Sequence, residues 1–214
     1  MDRKLAFFDI ICYAAIPFLI WNYGRESLGD YWAILLSTFP GIIYTIFRFV
    51  KEKQFNILGL FIIGSMGIST TVNLLSSTAE SMLWNQVYLG LVYGIIFLLS
   101  ILIKQPLALH MAVDWAYLQG HPRKSSRKLF IQPQLLKWFQ LLTLLFVARS
   151  LFMNGLKAFL LQTYGADGYG KMLIYMNISG WIFTAILSMG FIFISVKINQ
   201  YVQGSNEMKV AAEK

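Results

Sequence analysis

Residues 83–103 read LWNQVYLGLVYGIIFLLSILI and contain no charged side chain. A membrane-spanning helix needs ~20 predominantly apolar residues, which cover ~30 Å of hydrocarbon at ~1.5 Å of rise per residue. The apolar side chains follow one another continuously, whereas the strands of a membrane β-barrel alternate apolar and polar residues. The segment is therefore predicted to be a transmembrane α-helix.

Five further segments of the 214-residue chain show the same apolar character. Hydrophobic residues make up 57% of the chain and charged residues 13%, about half of the ~25% typical of soluble domains. We predict an all-α integral membrane protein with a single domain (residues 1–200) and a short polar tail (201–214). Its bundle of about six transmembrane helices comprises residues 5–23, 31–50, 55–76, 83–103, 135–162 and 171–196.

The basic residues predict the topology of these spans. If the N-terminus is inside, 14 of the 18 lysines and arginines fall on the inner side and three on the outer side, with Arg149 left inside a span. Such a bias is typical of cytoplasmic loops, so both termini are predicted to be cytoplasmic. The same positions account for the net charge of +8 without nucleic-acid binding.

The one long connection is a cytoplasmic basic loop, residues 104–134. Its first part, residues 107–118, is predicted as a short helix with Met111, Trp115 and Leu118 on one side and His110 and Asp114 on another. A basic patch follows, and it either binds an anionic lipid or a cytoplasmic partner, or only anchors the topology, which is the favoured interpretation. The patch consists of Arg123, Lys124, Arg127 and Lys128.

Arg149 is the least expected residue, because it lies near the middle of the fifth span. An arginine there is costly unless it faces protein or water. The predicted topology puts further polar groups in the outer halves of spans three to six, which suggests an outward-facing pocket for an anionic group. The candidate ligand-binding residues are Arg149, Lys157, Asn154, Asn177, Asn73 and Asn85.

A purely structural interpretation of the same residues is favoured. The asparagines would tie helices together, Lys157 would extend towards the outer surface, and Arg149 would pair with Asp9 or with carbonyl groups. Gly90 and Gly94 form a G-x-x-x-G pattern on the fourth span, which allows two helices to approach closely. Packing within the bundle is favoured there over a homodimer contact.

No pattern in the chain indicates catalysis, a metal or a cofactor. His110, His121 and Cys12 do not form a metal-ligand spacing. No phosphate-binding loop, dinucleotide fingerprint or nucleophile elbow is present. We therefore expect no enzyme activity.

Three groups of residues resemble a known family. They are AIPFL at residues 15–19, Phe39-Pro40 with Arg48, and GLVYGIIFLLS at residues 90–100 followed by IKQPL at 103–107. Over roughly residues 5–120 they resemble the small bacterial inner-membrane proteins related to intracellular septation protein A, whereas the last two spans match only in number and spacing. The resemblance implies a multi-pass protein of the bacterial cytoplasmic membrane, with a role in the cell envelope and no enzyme activity.

Two functions are expected from these observations. The first is a non-enzymatic envelope protein that works through partners in the membrane. The alternative is a small carrier or channel for an anionic or amphiphilic solute, which would use the outward-facing pocket. The lipid bilayer is the common partner of both.

Overall fold

The computed structural model describes residues 8–51 and 57–212, with side chains for 8–51 and 59–204. The described residues are helical almost throughout and include no strand, which confirms the all-α prediction. Parts of two predicted spans (residues 5–7 and 55–56) lie outside the described residues. The same holds for Arg3, Lys4, Lys53 and Lys214 and for the side chain of Lys209.

Seven α-helices follow one another in the described part of the chain. They are α1 (Ile16–Lys51), α2 (Ile57–Leu74), α3 (Ala79–Leu102), α4 (Leu107–Leu118), α5 (Arg123–Phe130), α6 (Pro133–Tyr164) and α7 (Tyr169–Ala212). A π-helical turn, Ile11–Ala15, precedes α1, and a 3-10 turn, Ala166–Gly168, separates α6 from α7. Helix α7 thus continues into the segment that was predicted as a polar tail.

Four stretches among the described residues are long and apolar enough to cross a membrane. They are Phe8–Lys51, Ala79–Leu102, Pro133–Tyr164 and Ala166–Gly204, and the apolar helix Gly59–Leu74 is shorter. The last three long stretches match the predicted fourth, fifth and sixth spans. The chain is therefore suited to a membrane, while the count of six and the side of the termini stay predictions.

The first long stretch contains a reversal of direction. Gly29 has φ +76° and ψ 162°, a conformation that is accessible almost only to glycine. The Tyr13 and Thr45 hydroxyls lie 2.7 Å apart, and Arg48 reaches Asp9 at 3.3 Å. Residues before Gly29 thus pack antiparallel against residues after it, as two separate predicted spans over residues 5–23 and 31–50 require.

The described residues form two compact units. The first comprises those within Met1–Tyr93 and Ser150–Trp181, and the second those within Gly94–Arg149 and Ile182–Lys214. Helices α3, α6 and α7 each contribute to both units. The single domain over residues 1–200 stays a prediction.

The core of the first unit is apolar and aromatic. Trp21 packs edge-on against Tyr169 with ring centroids 5.2 Å apart, and the Tyr169 hydroxyl lies 3.0 Å from that of Ser37. The other buried members include Ile34, Leu35, Met82, Leu83, Leu161 and Met172. The Arg25 guanidinium pairs with Asp30 at 2.7 Å and also with Asp167, so the Gly29 reversal and the α6–α7 turn lie side by side.

The second unit contains the predicted loop 104–134, most of which is helical. Helices α4 and α5 follow Pro106 and Pro122, and α6 starts at Pro133, positions where proline is tolerated because the first turn leaves its N–H groups unpaired. The backbone N–H of Ala108 donates to Thr143 Oγ1 at 3.1 Å. Helix α4 is therefore packed against α6, in a core that includes Leu109, Phe130, Phe139, Leu142, Leu187 and Ile194.

Candidate functional site

The candidate site is a polar cluster in the first unit that joins α2, α3 and α6. The Lys157 ammonium donates a hydrogen bond to Gln86 Oε1. Gln86 Nε2 donates to Asn73 Oδ1 at 2.8 Å, and the Tyr31 hydroxyl donates to the Asn73 carbonyl oxygen at 3.2 Å. We call Lys157, Gln86 and Asn73 the Lys157 cluster.

The charge of this cluster is one unbalanced cation. The ion pairs of the described residues do not include Lys157, which is half-buried, and Asn73 is buried. An ammonium group has three donors and no acceptor, and Gln86 takes only one of them. The cluster can therefore cross-link three helices, and it can also donate further hydrogen bonds to water or to an anionic group.

A second polar group lies between α3 and α6 in the same unit. Asn154 Nδ2 donates to the Ser150 carbonyl oxygen at 2.7 Å, and Ser150 Oγ donates to the Gly90 carbonyl oxygen at 2.8 Å. The Asn154 amide also fills the space beside Gly90, where a β-carbon would overlap it. Gly90 thus allows a close contact within this chain, while Gly94 is buried in the second unit.

The remaining predicted pocket residues make separate contacts. Asn85 Nδ2 donates to Ser76 Oγ at 3.0 Å. Asn177 Nδ2 donates to the carbonyl oxygens of Leu173 at 2.8 Å and Tyr13 at 3.3 Å. Arg149 is half-buried and belongs to the second unit, so a pocket that it shares with the others stays a prediction. Of the six candidates, the structure joins only Lys157 and Asn73, through Gln86.

Gln86 and Ser150 were missed by the sequence interpretation. Gln86, Gly90 and Gly94 recur at every fourth residue of α3, and residues at this spacing share one face of a helix. Ser150, Asn154 and Lys157 follow one another at intervals of four and three residues on α6, which also places them on one face. Matching the small-residue face of one helix to the polar face of the other would have identified both residues.

The predicted basic patch lies on α5 and is held by α4. The Arg123 guanidinium is 3.2 Å from the buried Asp114 carboxylate and 4.2 Å from the centroid of the Tyr117 ring. Arg127 donates to Gln105 Oε1 at 3.3 Å. Lys124 and Lys128 are exposed. Two of the four basic residues therefore position the helix, and the two lysines are presented to the surroundings.

The two predicted sides of α4 have unexpected exposures. Asp114, on the polar side, is 2% exposed, whereas Trp115 and Leu118, on the apolar side, are 65% and 62% exposed. Burial lowers the pKa of His110, and Arg127 lowers it further while Asp114 opposes the change. The exposed aromatic side is suited to the membrane interface, where tryptophan is enriched.

Neither a metal site nor a known relative adds to this description. Among the described residues, no three His, Cys, Asp or Glu side chains lie where they could hold a metal ion. Comparisons with protein-family models, curated proteins and solved structures found no match to this chain. The resemblance to the proteins related to intracellular septation protein A therefore stays a prediction without support.

Proposed function

We propose that this chain is a non-enzymatic, multi-pass protein of the bacterial cytoplasmic membrane that maintains the cell envelope through membrane partners. The single observation that carries the proposal is the fixed presentation of α5. Because Arg123 is tied to buried Asp114, the lysines of α5 have a defined place beside the exposed aromatic side of α4. A surface that only anchored topology would not need this order.

The chemistry of this surface favours a partner with an acidic, partly apolar segment. Lys124 and Lys128 are exposed and four residues apart on α5, so they lie on one face of the helix. Trp115, Tyr117 and Leu118 of α4 are more than half exposed. Aromatic residues are enriched in protein interfaces, and the two lysines supply a charge that complements an acidic partner.

A crosslinked pull-down from native membranes in mild detergent, read by mass spectrometry, tests the proposal. We expect a stoichiometric partner that is lost with the double variant Lys124→Gln/Lys128→Gln. Arg123 is left intact because it supports the fold. The control is Lys51→Gln/Lys104→Gln, which removes the same charge from exposed positions on the same predicted side. Recovery of the chain alone, or only with itself, contradicts the proposal.

The proposal includes six spans with both termini in the cytoplasm. Support comes from contacts between residues that this topology puts on the outer side, namely Arg25 with Asp167 and Lys157 with Gln86. Labelling of single cysteines in a Cys12→Ser background tests it. Ser77→Cys should react with an impermeant maleimide in intact cells, whereas Ser125→Cys and Gln203→Cys should react only after permeabilisation. Any reversal of this pattern contradicts the topology.

A second candidate function is a carrier or channel for an anionic or amphiphilic solute. The favouring observation is the Lys157 ammonium, which has only the neutral amide of Gln86 as its hydrogen-bond acceptor within the described residues. Efflux of chloride and phosphate from proteoliposomes tests it, with Lys157→Gln and Arg149→Gln as variants. Lys171→Gln is the control, since Lys171 is exposed and lies over the Tyr164 ring. Equal efflux from empty liposomes rejects a pathway for these anions.

A further inference from the structure

An apolar groove runs between α6 and α7 in the second unit. It encloses about 340 Å³, within the ~300–1,000 Å³ of small-molecule sites. Its lining from α6 is Trp138, Leu141, Leu142, Leu144, Leu145 and Ala148, and from α7 it is Gly190, Phe193 and Ile194. Position 190 has little room for a side chain, because a β-carbon there would lie 2.6 Å from Leu142 Cδ1.

A polar cavity of about 380 Å³ adjoins the groove at Trp138, which lines both. Its remaining lining comes from the start of α6 and the corresponding part of α7. These residues are Gln134, Leu135, Lys137, Lys197, Gln200 and Tyr201. The two cavities thus form one site with an apolar body and a polar end, which is the distribution of polarity in an amphiphile.

The polar end is positively charged. Its lining includes Lys137 and Lys197 and no acidic residue. The Lys137 ammonium lies 5.3 Å from the Trp138 ring and the Lys197 ammonium 5.5 Å from the Phe193 ring. These two rings pack edge to face with centroids 5.1 Å apart. An aromatic pair therefore separates the apolar body from the two cations and holds both near it.

The length of the groove distinguishes between occupants. From Trp138 to Ala148 it follows α6 for ten residues, or ~15 Å at the helical rise. This is about half of the ~30 Å hydrocarbon thickness, the depth of one leaflet. A transmembrane helix of a second chain would need the full thickness, whereas a lipid acyl chain needs only one leaflet.

We propose that the groove and its basic end bind one anionic phospholipid of the cytoplasmic leaflet. An acyl chain would lie along Leu141, Leu145 and Ala148, and the phosphate would accept hydrogen bonds from Lys137 and Lys197. The charge bias of the sequence assigns both lysines to the cytoplasmic side, where anionic headgroups attract basic residues. This site is separate from the exposed α5 surface.

Native mass spectrometry of the full chain in mild detergent, titrated with dioleoyl phosphatidylglycerol or dioleoyl phosphatidylcholine, tests the proposal. We expect one phosphatidylglycerol per chain to bind more tightly than phosphatidylcholine. The variant Lys137→Gln/Lys197→Gln should weaken phosphatidylglycerol binding about thirtyfold, since two charge contacts are lost. The control Lys124→Gln/Lys128→Gln removes the same charge from α5 and should leave this binding event unchanged.

A second variant tests the apolar part of the site without changing its charge. Ala148→Phe fills the groove and should reduce binding about tenfold by excluding the acyl chain. Its control is Ala185→Phe, because Ala185 is exposed on α7 but does not line the groove. Equal weakening by both lysine pairs, or full binding to Ala148→Phe, overturns the proposal. Displacement of phosphatidylglycerol by millimolar inorganic phosphate also overturns the proposal, because it indicates a site for the headgroup alone. A dimer that is crosslinked through Leu141→Cys overturns it as well, because it indicates that a second copy of the chain occupies the groove.

Discussion

The side-chain amide of Asn154 occupies the space that a β-carbon on Gly90 would need. Asn154 is buried and donates to the Ser150 carbonyl oxygen at 2.7 Å, and Ser150 in turn donates to the Gly90 carbonyl oxygen. The close approach of α3 and α6 in the first unit thus depends on the absence of one side chain and the presence of another.

The variant Gly90→Ala should destabilise the protein. The new methyl group would displace the Asn154 amide from its hydrogen bond, at a cost of about 1–3 kcal/mol, as for other overpacked sites. Thermal unfolding in detergent, followed by circular dichroism, measures the effect. Gly67→Ala is the matched control, because a β-carbon there has no atom within 4 Å.

A double variant tests whether Asn154 is the cause of that loss. Gly90→Ala/Asn154→Ala removes the overlapping amide, so its unfolding temperature should be close to that of Asn154→Ala alone. Strictly additive losses would mean that Gly90 is needed for another reason.

The variant Gly29→Ala should destabilise the reversal between the first two predicted spans. The φ of +76° and ψ of 162° lie in a region that costs other residues about 1–3 kcal/mol. Protease sensitivity of the segment around Asp30 and the unfolding temperature both report the change. Gly24→Ala is the control and should be neutral or slightly stabilising, because Gly24 is helical and alanine favours helices.

Breaking the Arg123–Asp114 pair should release α5. Arg123→Gln leaves the buried Asp114 carboxylate without this ion pair, at a cost of about 1–2 kcal/mol, because the arginine side is partly exposed and therefore screened. Hydrogen–deuterium exchange of residues 119–131 should increase. Lys124→Gln is the control, because Lys124 is exposed on the same helix and none of the described ion pairs includes it. Unchanged exchange in Arg123→Gln would show that α5 is held by its other contacts.

The long helices could be predicted because hydrophobicity alone specifies them. The segment 83–103 corresponds to Ala79–Leu102 in the structure, a difference of a few residues at the ends. The largest difference is at α7, which continues to Ala212 although residues 201–214 were predicted as a polar tail. Within the predicted loop 104–134, the short helix over residues 107–118 is confirmed as α4. Helix α5 was not predicted, because it is only eight residues long and its charged sequence carries no hydrophobic signal.

The partners of polar residues could be predicted only in part. Lys157 and Asn73 were recognised as unusual, because polar groups in apolar spans are costly, but Gln86, which links them, was not. Pairing depends on the rotation and register of α2, α3 and α6, and tertiary packing sets these. Asp114 shows the same limit, since its ion pair with Arg123, nine residues later, depends on how α4 and α5 pack together.

Protonation of His110 should weaken the protein at low pH. Burial lowers the pKa of His110 below its usual value, with a further contribution from Arg127, so the unfolded chain binds a proton more readily than the folded one. The free energy of unfolding should therefore fall as the pH drops through the ordinary histidine value of about 6.5 towards the lower folded pKa. Unfolding temperatures measured between about pH 7.5 and pH 5 should decline less in His110→Gln than in the native chain.

His121→Gln is the control, because His121 is exposed, and it should retain the native decline. If His110→Gln and the native chain decline equally, the lowered pKa of His110 contributes nothing to the stability of the protein.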